Sequence, residues 1–209
     1  MKSYLNIDDW PRKDHFFFFK EFNEPFFGVT VEVDCTVGYR YAKEDASSFF
    51  LYYLYRSLKA VNTIEEFRLR IEGDQIAIYD HVGASSTVPR PDGTFGFSYM
   101  PFKESFQEFY ASASAEIERV ANSTGLEPSG NNEHVVHYST LPWINFTSLS
   151  HARHYATTDS VPKVSFGKLH DKEDKKVMPM SIHAHHALMD GYHVGKYIEL
   201  FQELMNTRL

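Results

Sequence analysis

Hydrophobic and polar positions along the chain switch between two periods. From Phe27 to Val37 the period is two. Val29, Val31, Val33, Cys35 and Val37 face one way and Thr30, Glu32, Asp34 and Thr36 the other, which predicts a half-buried strand. From Asp45 to Val61 the period becomes helical, with Phe49, Phe50, Tyr53, Leu54 and Leu58 on one stripe. Lys103 to Asn122 repeats the helical pattern through Phe106, Phe109, Tyr110, Ala113, Ile117 and Val120. A last helix from Gly191 onwards would bury Val194, Tyr197, Ile198, Phe201, Leu204 and Met205. Short strands are predicted over Gln75 to Tyr79, Ser86 to Val88 and Thr94 to Tyr99, around a turn cluster at Pro89 to Gly93. Further strands are predicted over His134 to Trp143, Ile144 to Ser150, Val161 to Leu169 and Val177 to Ala187, the last two joined by the mixed-charge tip His170 to Lys176. Residues 8–20 read as a short aromatic element with Pro11 just inside a helical start, and Glu65 to Arg70 as a charged surface segment. Strands interleaved with three main helices predict an α/β fold, a two-layer sandwich with a mixed β-sheet. The polar loop after Asn122 is the best boundary candidate, but the roughly 75 residues beyond it begin with strands that need a sheet to join. Residues 1–209 are therefore read as a single domain.

Composition narrows the partners. A hydrophobic share of 43% is ordinary for a chain with a real core, and 16% aromatic residues favour bulky cores and apolar ligand walls. A net charge of −7, with no basic run, argues against a nucleic-acid partner. Cys35, the single cysteine, has no internal disulfide partner, which fits a reducing compartment. The amino terminus is polar and acidic, and the aromatic runs at Phe16 to Phe19 and Phe49 to Tyr55 are too short to span a bilayer. The expectation is a soluble, cytoplasmic protein with no membrane partner.

The stretch richest in chemistry is Ser181 to Gly195. Strand alternation places Met180, Ile182, Ala184 and His186 on one face and Ser181, His183 and His185 on the other, while Asp190 stands where a helix N-cap belongs. Three readings compete. A metal site has enough ligands on paper in His183, His185, His186, His193 and Asp190. Alternation sends His183 and His185 away from His186, and no cysteine pair or His-Glu-x-x-His helix supports a metal, so none is expected. His183 and His185 then read as surface residues. A buried histidine and a capping aspartate can also be purely structural. In the third reading His186 is a general base, because an apolar surround disfavours the charged form of a histidine and leaves it able to take a proton.

His185-His186-Ala-Leu-Met-Asp190-Gly191-Tyr-His-Val resembles the His-His-x-x-x-Asp-Gly-Phe-His-Val signature of the chloramphenicol acetyltransferase family. Trp10-Pro-Arg12-Lys-Asp14-His15-Phe16 is similar to that family's amino-terminal Trp-x-Arg-(Arg/Lys)-Glu-His-Phe, and Leu141-Pro-Trp143-Ile-Asn-Phe-Thr-Ser148 to its Pro-Trp-x-x-Phe-x-Ser segment. A bare His-x-x-x-Asp-Gly also occurs in dihydrolipoyl acyltransferases; three motifs in order point to the one family.

The resemblance implies acetyl transfer from acetyl-CoA to a hydroxyl of chloramphenicol or a similar small molecule, with no metal and no acyl-enzyme. It implies His186 as the base and Ser148 as hydrogen-bond donor to the oxyanion. Asp190 would be structural, paired with Arg12. Ser165 stands where the family has a threonine near the oxyanion, and Lys168 falls in the CoA vicinity. Phe18 matches an aromatic wall of the acceptor pocket. Phe19 stands in the region of a family tyrosine, and Leu169 replaces an aromatic that stacks on adenine. The family is a homotrimer with each site between subunits. The competing expectations are an acyltransferase with another acceptor or donor, as in dihydrolipoyl acyltransferases, and a non-catalytic trimeric ligand-binding homologue. Retention of His186, Ser148, Arg12 and Asp190 together argues against the latter.

Overall fold

The computed structural model describes residues 1–126, 134–152 and 159–209. Its elements are β1 (Lys2–Tyr4), α1 (Lys13–Phe19), β2 (Phe26–Asp34), α2 (Thr36–Glu44), α3 (Phe49–Thr63), β3 (Leu69–Glu72), β4 (Gln75–Tyr79), β5 (Gly83–Pro89), β6 (Phe95–Phe97), α4 (Phe106–Ala121), β7 (Val135–Thr140), β8 (Lys163–Phe166), β9 (His170–Lys172), β10 (Lys175–His185) and α5 (Gly191–Met205). The main sheet runs β2-β10-β8-β7-β5-β6, with β9 paired to the start of β10. It is mixed: β5, β7 and β8 are parallel, whereas β10 is antiparallel to both β8 and β2. A small antiparallel sheet, β1-β4-β3, stands apart.

One face of the main sheet is closed by helices. Met178, Met180, Ile182 and Ala184 of β10 join Val164 and Phe166 of β8 in a single cluster with Leu54 and Leu58 of α3 and Tyr197 and Phe201 of α5. Each fully buried side chain of this size contributes roughly 1.5–3 kcal/mol. Inside the cluster, Ser57 Oγ lies 2.9 Å from the Tyr138 hydroxyl and 2.6 Å from that of Tyr197, so its polar atom is satisfied where it would otherwise be costly. A second, smaller cluster joins Phe16 of α1, Leu69, Ile76, Ala187 and Leu188, with Trp10 and Phe19 packed against it. It fastens α1 and the small sheet to the turn that follows β10, and so sets the amino-terminal segment beside His186.

Three expectations need correction. The alternation through Val37 does not continue the strand: Asp34 Oδ1 accepts from the Thr36 N–H at 3.0 Å and the Thr36 hydroxyl at 2.6 Å, and the turn so made starts α2. Ile144 to Ser150 is a loop, because Ile144 N–H donates back to Leu141 O at 3.1 Å across Pro142 and closes a turn. Glu65 to Arg70 is not a surface segment. Phe67 and Arg70 are buried, and the Arg70 guanidinium donates to the carbonyls of Phe67, Leu69 and Val135, tying β3 to β7.

Candidate active site

β10 ends at His185, and His186 opens the turn that follows, its N–H donating to Pro25 O at 2.8 Å. Leu188 N–H and Met189 N–H both return to His185 O, at 3.0 and 3.2 Å, which bends the chain off the sheet. The face assignment from alternation therefore fails at its last residue. Both faces of β10 are covered: Ser181 is fully buried, His185 is 4% exposed, and His183 is half-buried, so the latter two are not surface residues. His186 draws its apolar surround from other elements instead. Phe19 of α1 stacks on the imidazole at 4.0 Å between centroids and 2° between planes, and Phe27 of β2 closes on it at 4.8 Å and 46°. The His186 Nδ1 is buried and has no hydrogen-bond partner among the described residues. Nε2 is thus the ring nitrogen left open to a substrate.

A single guanidinium holds both ends of the turn. Arg12 Nη1 donates to Asp190 Oδ2 at 2.5 Å, and Nη2 donates to His186 O at 3.3 Å. Asp190 Oδ1 accepts the Tyr192 N–H at 3.0 Å and so caps α5. Burial pushes the Asp190 carboxyl up, but the Arg12 hydrogen bond and charge, with the Tyr192 N–H, outweigh it and hold the group below its ordinary value. His193 completes the cap: its Nδ1 lies 3.0 Å from Asp190 Oδ1 and its Nε2 3.3 Å from Glu66. Sequence reasoning named His193 only as a metal ligand on paper, and it missed Glu66. For His193, its place three residues after an N-cap was an available signal.

The other sequence-predicted residues lie elsewhere in the chain. Ser165 of β8 pairs with Ser181 of β10, four residues before the strand's last residue, His185, which at the strand rise is about 13 Å along the sheet. The loop carrying Ser148 is fastened beside the middle of β10, where Leu141 N–H donates to Phe166 O at 2.8 Å and Lys168 N–H to Ile144 O at 2.9 Å. Ser148 and Lys168 are exposed there, and Ser165 is buried with its Oγ 3.4 Å from His151 Nε2. Among the described residues no hydrogen bond joins His186 to Ser148 or Ser165. Phe18 is 63% exposed beside Phe19, and Leu169 packs on the main core. His186, Arg12, Asp190, Phe18 and Phe19 thus gather past the carboxyl end of β10, and Ser165 lies beside its middle, with Ser148 and Lys168 on the neighbouring loop segments.

The family model for chloramphenicol acetyltransferase matches residues 2–202. The chain belongs to the chloramphenicol acetyltransferase family. It is an acetyl-CoA-dependent acetyltransferase of that family. It is 29% identical over 207 residues to chloramphenicol acetyltransferase 3 of Escherichia coli, covering 98% of this chain and 97% of that protein. To the chloramphenicol acetyltransferase of Bacillus pumilus it is 30% identical over 202 residues, covering 95% and 91%. A solved chloramphenicol acetyltransferase superposes with a TM-score of 0.90 at 30% identity, over 98% of this chain and 100% of that one. A probable dihydrolipoamide acetyltransferase of Listeria monocytogenes shares the fold, with a TM-score of 0.65 at 14% identity over 92% and 88% of the two chains.

Proposed function

We propose that this member of the chloramphenicol acetyltransferase family moves the acetyl group of acetyl-CoA directly to a hydroxyl of chloramphenicol or a similar small molecule, at a site divided between two chains of a homotrimer. His186 Nε2 takes the proton of the acceptor hydroxyl as its oxygen attacks the thioester carbonyl. Ser148 donates to the oxyanion that develops there. Collapse breaks the carbon–sulfur bond, and the departing thiolate takes the proton back from the imidazolium, so base and proton donor are one residue and no acyl-enzyme forms. Arg12 and Asp190 hold the turn, and Phe19 holds the ring plane. Residues 1–209 act as one domain, in the cytoplasm.

The observation that supports the reading most is that His186 presents Nε2 from a stacked, clamped turn, with no hydrogen bond to Ser148 or Ser165 of the same chain among the described residues. In this reading the two meet at one thioester between copies, base from one and donor from the next. A closed ring of such heterologous contacts is a cyclic trimer in this family's arrangement. Phe19 supplies no phenolic hydroxyl to an acceptor, so chloramphenicol itself is held without that contact.

The test is thiol release from acetyl-CoA with a panel of hydroxylated acceptors including chloramphenicol, on wild type and His186→Ala, with the molar mass measured in solution. His186-dependent release by a trimer is expected. Release that persists undiminished in His186→Ala, or an active monomer, contradicts the reading.

A further inference from the structure

The turn that carries His186 has a second anchor besides Arg12. The one-turn segment Glu65–Arg68, between α3 and β3, docks on α5 through two adjacent side chains. Phe67, fully buried in the main core, packs on Tyr197 at 4.9 Å between centroids and 33° between planes. Glu66 Oε1 lies 3.3 Å from His193 Nε2. His193 and Tyr197 are one helical turn apart and so share a face of α5. We infer that Glu66 is a positioning residue for His186 that acts through His193 and Asp190, an inference that rests on the general-base reading of His186.

The route is short. His193 is buried, and its Nδ1 accepts the Asp190 N–H at 3.2 Å while lying 3.0 Å from Oδ1 of the same residue. Asp190 is thereby held by its main chain as well as its side chain. A carboxylate close to Nε2 favours the proton on that nitrogen, which leaves Nδ1 of the neutral ring with the lone pair that the Asp190 N–H needs. Glu66 also sets a negative charge beside the amino-terminal end of α5, where the helix dipole favours one. From Asp190 the constraint passes through Arg12 to the His186 carbonyl. The anchor itself is firm: Phe67 is locked in the core, and Arg68 Nη1 donates to Tyr79 O at 2.7 Å.

Without Glu66 the His193 ring loses the charge that orients it, the Asp190 N–H loses a fixed acceptor, and the turn is left on the Arg12 side alone. A displacement of about 1 Å at a reacting group costs on the order of 10²-fold in rate, so even part of that shift at His186 Nε2 registers in kcat. A residue that acts by placing the base lowers kcat and kcat/KM together and leaves KM alone.

The experiment compares Glu66→Met, His193→Gln and the double variant with wild type and with Glu65→Met, a change at the exposed neighbour, below every melting transition. Two quantities are read: kcat and KM for thiol release from acetyl-CoA with chloramphenicol, and the NMR shifts of the His186 ring protons, which the face of Phe19 at 4.0 Å moves upfield. We expect Glu66→Met to lower kcat about tenfold with KM nearly unchanged, and to move the His186 signals downfield towards their position in Phe19→Leu. His193→Gln, which keeps a capping-box residue at N3, should do the same, and the double variant no more than either. A Glu66→Met enzyme with the kcat and His186 signals of Glu65→Met overturns the inference. So does a raised acceptor KM at unchanged kcat, or a double variant whose losses add. The His186 signals are read without turnover, so they decide the inference even where an active His186→Ala enzyme has overturned the base assignment. If Glu66→Met fails to fold, His193→Gln decides.

Discussion

Asp190→Asn separates the two jobs of Asp190. Asparagine caps a helix about as well as aspartate, so the Tyr192 N–H keeps its partner and what is lost is the charge facing Arg12. Exposed ion pairs contribute about 0–1 kcal/mol, and breaking a buried one costs about 3–5 kcal/mol. Here the side chains are 14% exposed for Arg12 and 32% for Asp190, which places the loss between those limits, near 2 kcal/mol. For a chain of this size that lowers Tm by about 4–8 °C. The assay is a thermal melt of wild type, Asp190→Asn, Arg12→Met and the double variant, giving a coupling energy of about 1–2 kcal/mol. Activity falls with stability, because the same guanidinium holds His186 O at 3.3 Å. The pH dependence has a definite sign. The Asp190 carboxyl is held below its ordinary value in the fold, so its contribution is full above the unfolded value of about 3.9 and is lost as pH falls through the folded one. The gap between wild type and Asp190→Asn should therefore close only in acid. A coupling energy below about 0.5 kcal/mol, or a gap that is unchanged below pH 3, refutes the clamp.

Other outcomes follow from the same contacts. His186→Ala should lower kcat by about 10²–10⁴-fold, the usual share of a general base, while losing only about 0.5–1.5 kcal/mol of stability with the Phe19 stack; a steady-state assay and a melt check both. Cys35 is fully buried, and burial with the Asp34 carboxylate pushes its thiol up to about 12, so the native protein should resist a thiol reagent that labels the unfolded chain at once. Rapid labelling of the native protein would contradict that placement.

The sequence was most legible where one period ran long enough to dominate. α4 and α5 lie close to the pattern that predicts them, because an amphipathic stripe over 15 or 16 residues has no competing reading. It was least legible where a local hydrogen bond overrode the pattern, as at Asp34, whose side chain turns an apparent strand into α2. β10, covered on both faces from Val177 to His185 with His183 half-buried, showed the same limit from another side: alternation distinguishes two faces only when one meets water. His186 stood out in the sequence as the residue for base chemistry, yet the physical reason given for it was misplaced. Its apolar surround is not its own strand but Phe19 and Phe27, brought by α1 and β2 from the far end of the chain. A cavity walled by His151, Lys163 and His183 was hidden from the sequence, because it also takes in Glu24 and Ser150, more than a hundred residues apart in the chain.

The division of the site between chains is tested most directly by mixing two defective variants. His186→Ala and Ser148→Ala chains are co-expressed with different tags, and the mixed species is purified and assayed for thiol release. In every mixed cyclic trimer one of the three sites, about a third, combines an intact His186 from one chain with an intact Ser148 from the next. The mixed species should therefore recover about a third of wild-type activity, far above either variant alone. If base and oxyanion donor serve the same site from the same chain, no combination restores them together, and mixed trimers no more active than the single variants would contradict the account.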